Sequence, residues 1–261
     1  MSIFAHFMTQ LLPLITVPFQ WPVWRMEIDD LSNTLLLEIR STEEKQAAFG
    51  SINLTDGTVN FTNLTTPERW LTGIETTYNG VLLIHNYQSA SGPNHKGLIA
   101  VDSATGQLLW SDYTLAFDHL TINGPVVYNA QLQPKKLLLA DIKTGQTIRS
   151  YQPVLDTEAS NSILVPELLP AQLLTGIILP YEPYANTVHY MNHNNFRIVS
   201  LHTFLKQELK QHLYIFNNDG AIVYHDLLNT GIQKLQPEAF VIHKSNLIYL
   251  KNRSELIVLN L

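Results

Sequence analysis

The side chains able to do chemistry in this 261-residue chain are imidazoles and carboxylates, for it has ten histidines and no cysteine. His95-Lys96 sets an imidazole beside an ammonium. Asp118-His119 offers a carboxylate that could orient an imidazole. His202 and His212 flank one turn, where two ring nitrogens could meet a metal, with Glu238 as the carboxylate donor. Two imidazoles fall short of a closed metal site, so no metal is expected. Adjacent strand residues point to opposite sides, so a structural turn is the simpler expectation for Asp118-His119, as a solvated loop is for His95-Lys96. His85 alternates with apolar residues on a central strand, where a hydrogen-bonded core histidine is expected. Nucleophile-elbow, phosphate-loop and HExxH patterns are missing, and without cysteine there is no disulfide, thiolate site or thiol nucleophile.

What must position these groups is a repeat. Residues 49–61 (FGSINLTDGTVNF), 98–110 (LIAVDSATGQLLW), 137–149 (LLLADIKTGQTIR) and 213–224 (LYIFNNDGAIVY) each give an apolar run, a polar turn closed by glycine, and a second alternating run. The glycines are Gly57, Gly106, Gly145 and Gly220, recurring roughly every 40 to 50 residues with the last interval longer. Such a hairpin needs a residue with positive φ, which glycine supplies without steric cost. Asp102 and Asp141 stand four residues earlier, placed to accept turn N–H groups.

Two further strands fit into each period, as in residues 69–78, 81–87, 97–102 and 107–113, which predicts an all-β fold: a single β-propeller of five or six four-stranded blades spanning 1–261. Residues 1–20 read as an N-terminal extension, and 152–185 as a degenerate blade or an insertion. The last blade stops after its third strand. Residues 22–29 either supply the missing strand and close the ring, or form the inner strand of the first blade. Trp21, Trp24, Trp70 and Trp110 are expected to pack between blades.

The hairpin at 98–110 resembles the repeat of quinoprotein-type propellers through Ala100, Asp102, Thr105, Gly106 and Trp110, while 137–149 keeps Ala140, Asp141, Thr144 and Gly145 with Arg149 at the tryptophan position. The runs VLLIHNYQSASGPNHKG, FDHLTINGP and LQPEAF are similar to an uncharacterised bacterial family carrying such repeats. The resemblance implies a fold and no activity. Quinone-dependent dehydrogenases of that superfamily use more blades, a stacked cofactor and a calcium held by acidic and amide side chains; no matching constellation is found, and no cofactor is expected.

Sixteen Lys and Arg against 22 Asp and Glu give a charge of −6, which repels a phosphate backbone and argues against nucleic acid. The apolar run 11–19 lacks a basic flank and is broken by Pro13 and Pro18, so it reads as folded chain; no stretch is long enough to span a membrane, and a cytoplasmic location is expected. Propeller topology sends the loops joining second to third strands, and those joining blades, to one face. His95, Lys96, Asp118, His119, His202, His212 and Glu238 are assigned there. The expected function is a binding or scaffold module receiving a protein or small molecule; the alternative is a hydrolase or lyase using a His/carboxylate cluster at the channel mouth.

Overall fold

A computed structural model describes residues 11–237 and 239–261. The described residues divide into two compact units, 21–161 and 11–20 with 162–261. Among the described residues no helix is long and apolar enough to cross a membrane.

Residues 21–161 form three four-stranded antiparallel sheets, each an uninterrupted meander. The first holds β2 (Val23–Asp29), β3 (Thr34–Ser41), β4 (Gln46–Asn53) and β5 (Val59–Leu64). The second holds β6 (Thr72–Tyr78), β7 (Val81–Tyr87), β8 (His95–Asp102) and β9 (Leu108–Asp112). The third holds β10 (Leu115–Thr121), β11 (Gly124–Asn129), β12 (Leu138–Ala140) and β13 (Thr147–Ser150). Strand β7 begins Val-Leu-Leu-Ile without alternation because both its faces are covered. Leu82 and Ile84 pack with Leu36 and Phe49 of the first sheet. Val81 and Leu83 pack with Val127, Ala140 and Ile142 of the third.

The repeated turns behave as their sequences require. Asp102 Oδ1 accepts the N–H groups of Ala104 at 3.0 Å and Thr105 at 2.8 Å. Asp141 does the same for Lys143 and Thr144. Gly106 and Gly145 close these turns at φ 73° and 72°. Each glycine also seats an aromatic ring from the outer strand of the preceding sheet: a Cβ on Gly106 would stand 3.3 Å from Phe61, and one on Gly145 only 2.6 Å from Trp110. The Trp110 indole N–H then donates to the Ile142 carbonyl at 2.8 Å. This contact gives the tryptophan of the repeat its purpose. Valine at Gly145 is therefore expected to cost about 2–3 kcal/mol from backbone strain and overpacking. Alanine at Gly106 should cost less than alanine at Gly145, and thermal melting of the two variants checks the order.

The other unit contains two five-stranded antiparallel sheets. One is built from β15 (Glu167–Pro170), β16 (Thr187–His193), β17 (Phe196–Leu205), β18 (Glu208–Phe216) and β19 (Ile222–Ile232) in sequence order. The second runs β1 (Pro13–Pro18), β22 (Glu255–Asn260), β21 (Asn246–Lys251), β20 (Val241–His243), β14 (Ile163–Leu164). Ile198, Leu213 and Ile215 pack with Ile242, Leu247, Tyr249 and Ile257 in one core between these sheets.

An N-terminal strand does pair with the last strand, but it is β1, with Thr16 opposite Ile257. Residues 23–29 instead pair with β3, as the first strand of their own sheet. Apolar Ile15 and Val17 within 13–18 supply the alternation a sheet edge strand needs, and Ile15 is buried. Residues 152–185 make no four-stranded sheet of their own: β14 pairs with β20 and β15 with β16.

Candidate functional site

The first strand of each sheet in residues 21–161 carries a β-bulge. The ladder skips a residue between Val23 and Arg25, between Ile74 and Thr76, and between Phe117 and His119. A bulge leaves one residue unpaired and re-aims its side chain. The residues so released are Trp24, Glu75 and Asp118.

Glu75 makes the most concentrated chemistry. Its Oε2 lies 2.8 Å from His95 Nδ1 and 3.1 Å from His85 Nδ1. The two imidazoles stack with centroids 3.5 Å apart and planes 8° from parallel. Tyr87 meets both rings edge-on, at 4.7 and 5.1 Å. The Glu75 side chain is 9% exposed and that of His95 31%. His85 is 1% exposed; its Nδ1 meets Glu75 only as a 3.1 Å ion-pair contact, and neither ring nitrogen makes a hydrogen bond. Burial alone would raise the Glu75 pKa, but the close contact and charge of His85, reinforced by His95, hold it below the usual carboxylate value. Burial pushes His85 below the ordinary histidine value, only partly offset by Glu75. Among the described residues these form the one group of three His and carboxylate donors whose ligand atoms converge, all within 4.8 Å.

The first sheet fixes this strand in place. Arg25 donates to the carbonyls of Ile74 at 2.8 Å and Glu75 at 3.3 Å, at the bulge. Glu38 Oε2 accepts the Ile74 N–H at 2.8 Å, and its Oε1 pairs with Arg40 Nε at 2.5 Å. Arg40 also donates to the carbonyls of Trp70 and Thr72, with its guanidinium 5.4 Å from the Trp24 ring and 5.0 Å from the Trp70 ring. Gly73 is required here for space: a Cβ would lie 2.9 Å from Glu38 Oε2 and 3.2 Å from His85 Nε2.

Asp118 repeats the theme one sheet on. Its Oδ2 is 2.7 Å from His119 Nδ1, and its Oδ1 pairs with Lys135. Burial opposes ionisation, yet the bonds from Lys135 and His119 keep its pKa below the usual carboxylate value. Lys135 lies over the Tyr128 ring at 3.9 Å, and His119 meets Tyr151 edge-on at 5.0 Å. The bulge is what lets adjacent residues 118 and 119 face each other, against simple strand alternation.

The remaining candidates are dispersed. Lys96 is exposed, and Glu238 lies outside the described residues. His202 pairs with Gln211 and His212 with Leu201, which puts the two imidazoles on opposite faces of their sheet. His202 Nε2 accepts the Gln236 N–H at 3.0 Å. His212 contacts His225 and Thr203, each at 3.2 Å.

A family model described as a domain of unknown function (DUF4905) matches residues 28–110. That span holds Glu38, Arg40, Glu75, His85 and His95, and the match supports likeness to an uncharacterised family. No curated protein matches the chain. Among solved structures, Raptor of Chaetomium thermophilum is similar at 10% identity over 97% of this chain and 29% of its own, with a TM-score of 0.31. A europium-containing methanol dehydrogenase shows 11% identity over 94% and 52%, TM-score 0.30, and a eukaryotic initiation factor 12% over 90% and 50%, TM-score 0.27. The chain thus spans about half or less of each, and likeness at these TM-scores carries no argument.

His95, Asp118 and His119 are legible in the sequence as candidates; Glu75 and Glu38 are not, and His85 reads there as a hydrogen-bonded core residue. Nothing local marks a bulge. The available signal was a glutamate following the buried run Thr72–Ile74 inside a strand.

Proposed function

We propose that the chain is a β-propeller of quinoprotein-like repeats acting as a binding or scaffold module. Its recognition surface is the end of the sheets where loops 41–46, 64–72, 87–95, 112–115 and 129–138 emerge. In an antiparallel meander those connections leave from the same end. The ring-on-glycine contacts of Phe61 and Trp110 support the repeat reading, since each ties one sheet to the turn of the next. The observation that carries the functional reading is the recurrence of a bulge carboxylate bonded to an imidazole, Glu75 to His95 and Asp118 to His119, in consecutive sheets. Rigid strands hold these polar pairs beside loops, the usual construction of a recognition site. The absence of cysteine suits a reducing compartment, and the cytoplasm is the proposed location.

A thermal-shift panel of small carboxylic acids, sugars and divalent cations tests this. At least one compound should stabilise the wild type and act more weakly on His95→Ala or His119→Ala. Equal stabilisation of wild type and both variants by every active compound would count against the assignment. A second reading, an enzyme of hydrolase or lyase type, is favoured by one observation: His85 is a buried imidazole whose nitrogens make no hydrogen bond, with Nδ1 3.1 Å from the Glu75 carboxylate, a pairing suited to proton transfer.

A further inference from the structure

We propose that Glu75, His85 and His95 form a binding site for a divalent transition-metal ion of borderline softness, with Zn2+ as the reference ion. The inference goes beyond the binding-module reading and stands independently of it. Two imidazole nitrogens and one carboxylate oxygen are the donor types such ions prefer. Bonds of 2.0–2.2 Å in tetrahedral array set donor atoms roughly 3.3 Å apart. The Glu75 oxygen already stands 2.8 and 3.1 Å from the two Nδ1 atoms, and all donors lie within 4.8 Å.

The second observation is the state of His85. It is 1% exposed, Nδ1 has only the 3.1 Å ion-pair contact of Glu75, and neither ring nitrogen makes a hydrogen bond, a rarity for buried polar atoms that calls for an occupant. An ion at Nδ1 supplies one. The Nε2 side faces the space left by Gly73, where the Glu38 carboxylate also sits, held by Arg40 and the Ile74 N–H. A carboxylate behind a ligating imidazole is the arrangement that fixes ring orientation in metal sites. Stacked rings must separate for both lone pairs to reach one ion. His95 is free to do so: it starts β8 after the loop 88–94 and is the most exposed of the three. Three protein ligands leave a fourth position open to water or a ligand.

The test is isothermal titration of chelator-stripped, full-length protein with ZnCl2, with metal content measured after dialysis. About one Zn2+ per chain is expected, with Glu75→Gln and His95→Asn each weakening binding on the order of tenfold or more. His225→Ala, which removes an imidazole from the His212 pair, should bind as the wild type does. Melting curves for each variant confirm folding, and His95→Asn is the safer of the two because its side chain is partly exposed. No binding by the wild type, undiminished binding by both site variants, or loss confined to His225→Ala would overturn the proposal.

Discussion

Replacing Arg40 with methionine is expected to destabilise the protein by about 3–5 kcal/mol, the range for breaking a buried ion pair by removing one partner. Glu38 and Arg40 are both buried, and the guanidinium is held by a carboxylate, two backbone carbonyls and two tryptophan rings. Its loss strands the Glu38 charge and frees the carbonyls of Trp70 and Thr72 at the entry to β6. Denaturant unfolding measures the loss, and amide exchange should quicken along residues 72–78. The double variant Glu38→Met with Arg40→Met should recover part of it, because two well-packed apolar chains leave no buried charge behind. A double variant less stable than the single one would show that Glu38 stabilises the fold mainly through the Ile74 N–H rather than through Arg40.

Acid should weaken the fold well before carboxylates protonate. Burial, with a lesser contribution from His189, pushes His202 down to about 4, and burial with neighbouring His225, Lys210 and His202 does the same for His212. The Gln236 N–H donated to His202 Nε2 is an independent reason, since that nitrogen must keep its lone pair. In the unfolded chain both titrate near 6.5. Their stabilisation is therefore fully present above about pH 6.5 and is lost as the pH falls toward 4, where the unfolded state has taken up protons the folded state refuses. Each depression is equivalent to about 3 kcal/mol at the acid end of that window. Melting temperature measured across this range should fall steeply, and the slope should flatten in His202→Gln, whose amide oxygen can still accept the Gln236 N–H. An unchanged slope would mean His202 is protonated in the folded protein.

The turns were legible because their chemistry is local: Asp102, Thr105 and Gly106 act within one hairpin, and the same spacing at Asp141, Thr144 and Gly145 gives the same bonds. Strand content followed from alternation for the same reason. The edge partner of β22 was not legible, because residues 13–18 and 23–29 both alternate and pairing across the chain decides between them. The site was half visible. Spacing picked out His95, Asp118 and His119, but a bulge is a property of register between two strands, so beyond the glutamate set inside β6 neither strand alone marks Glu75 or the facing of Asp118 on His119. His202 and His212 failed to meet because their ladder is offset by one position, which turns them to opposite faces.

Glu75, pushed from its ladder, meets the Nδ1 edges of two stacked imidazoles, and the candidate site rests on that contact. Nitrogen-15 spectra of the histidine rings test this directly, with His85→Asn and His95→Asn providing assignments. Glu75→Gln should shift the ring nitrogens of both His85 and His95 while leaving those of His202 and His212 in place. Spectra in which neither His85 nor His95 responds would contradict the cluster.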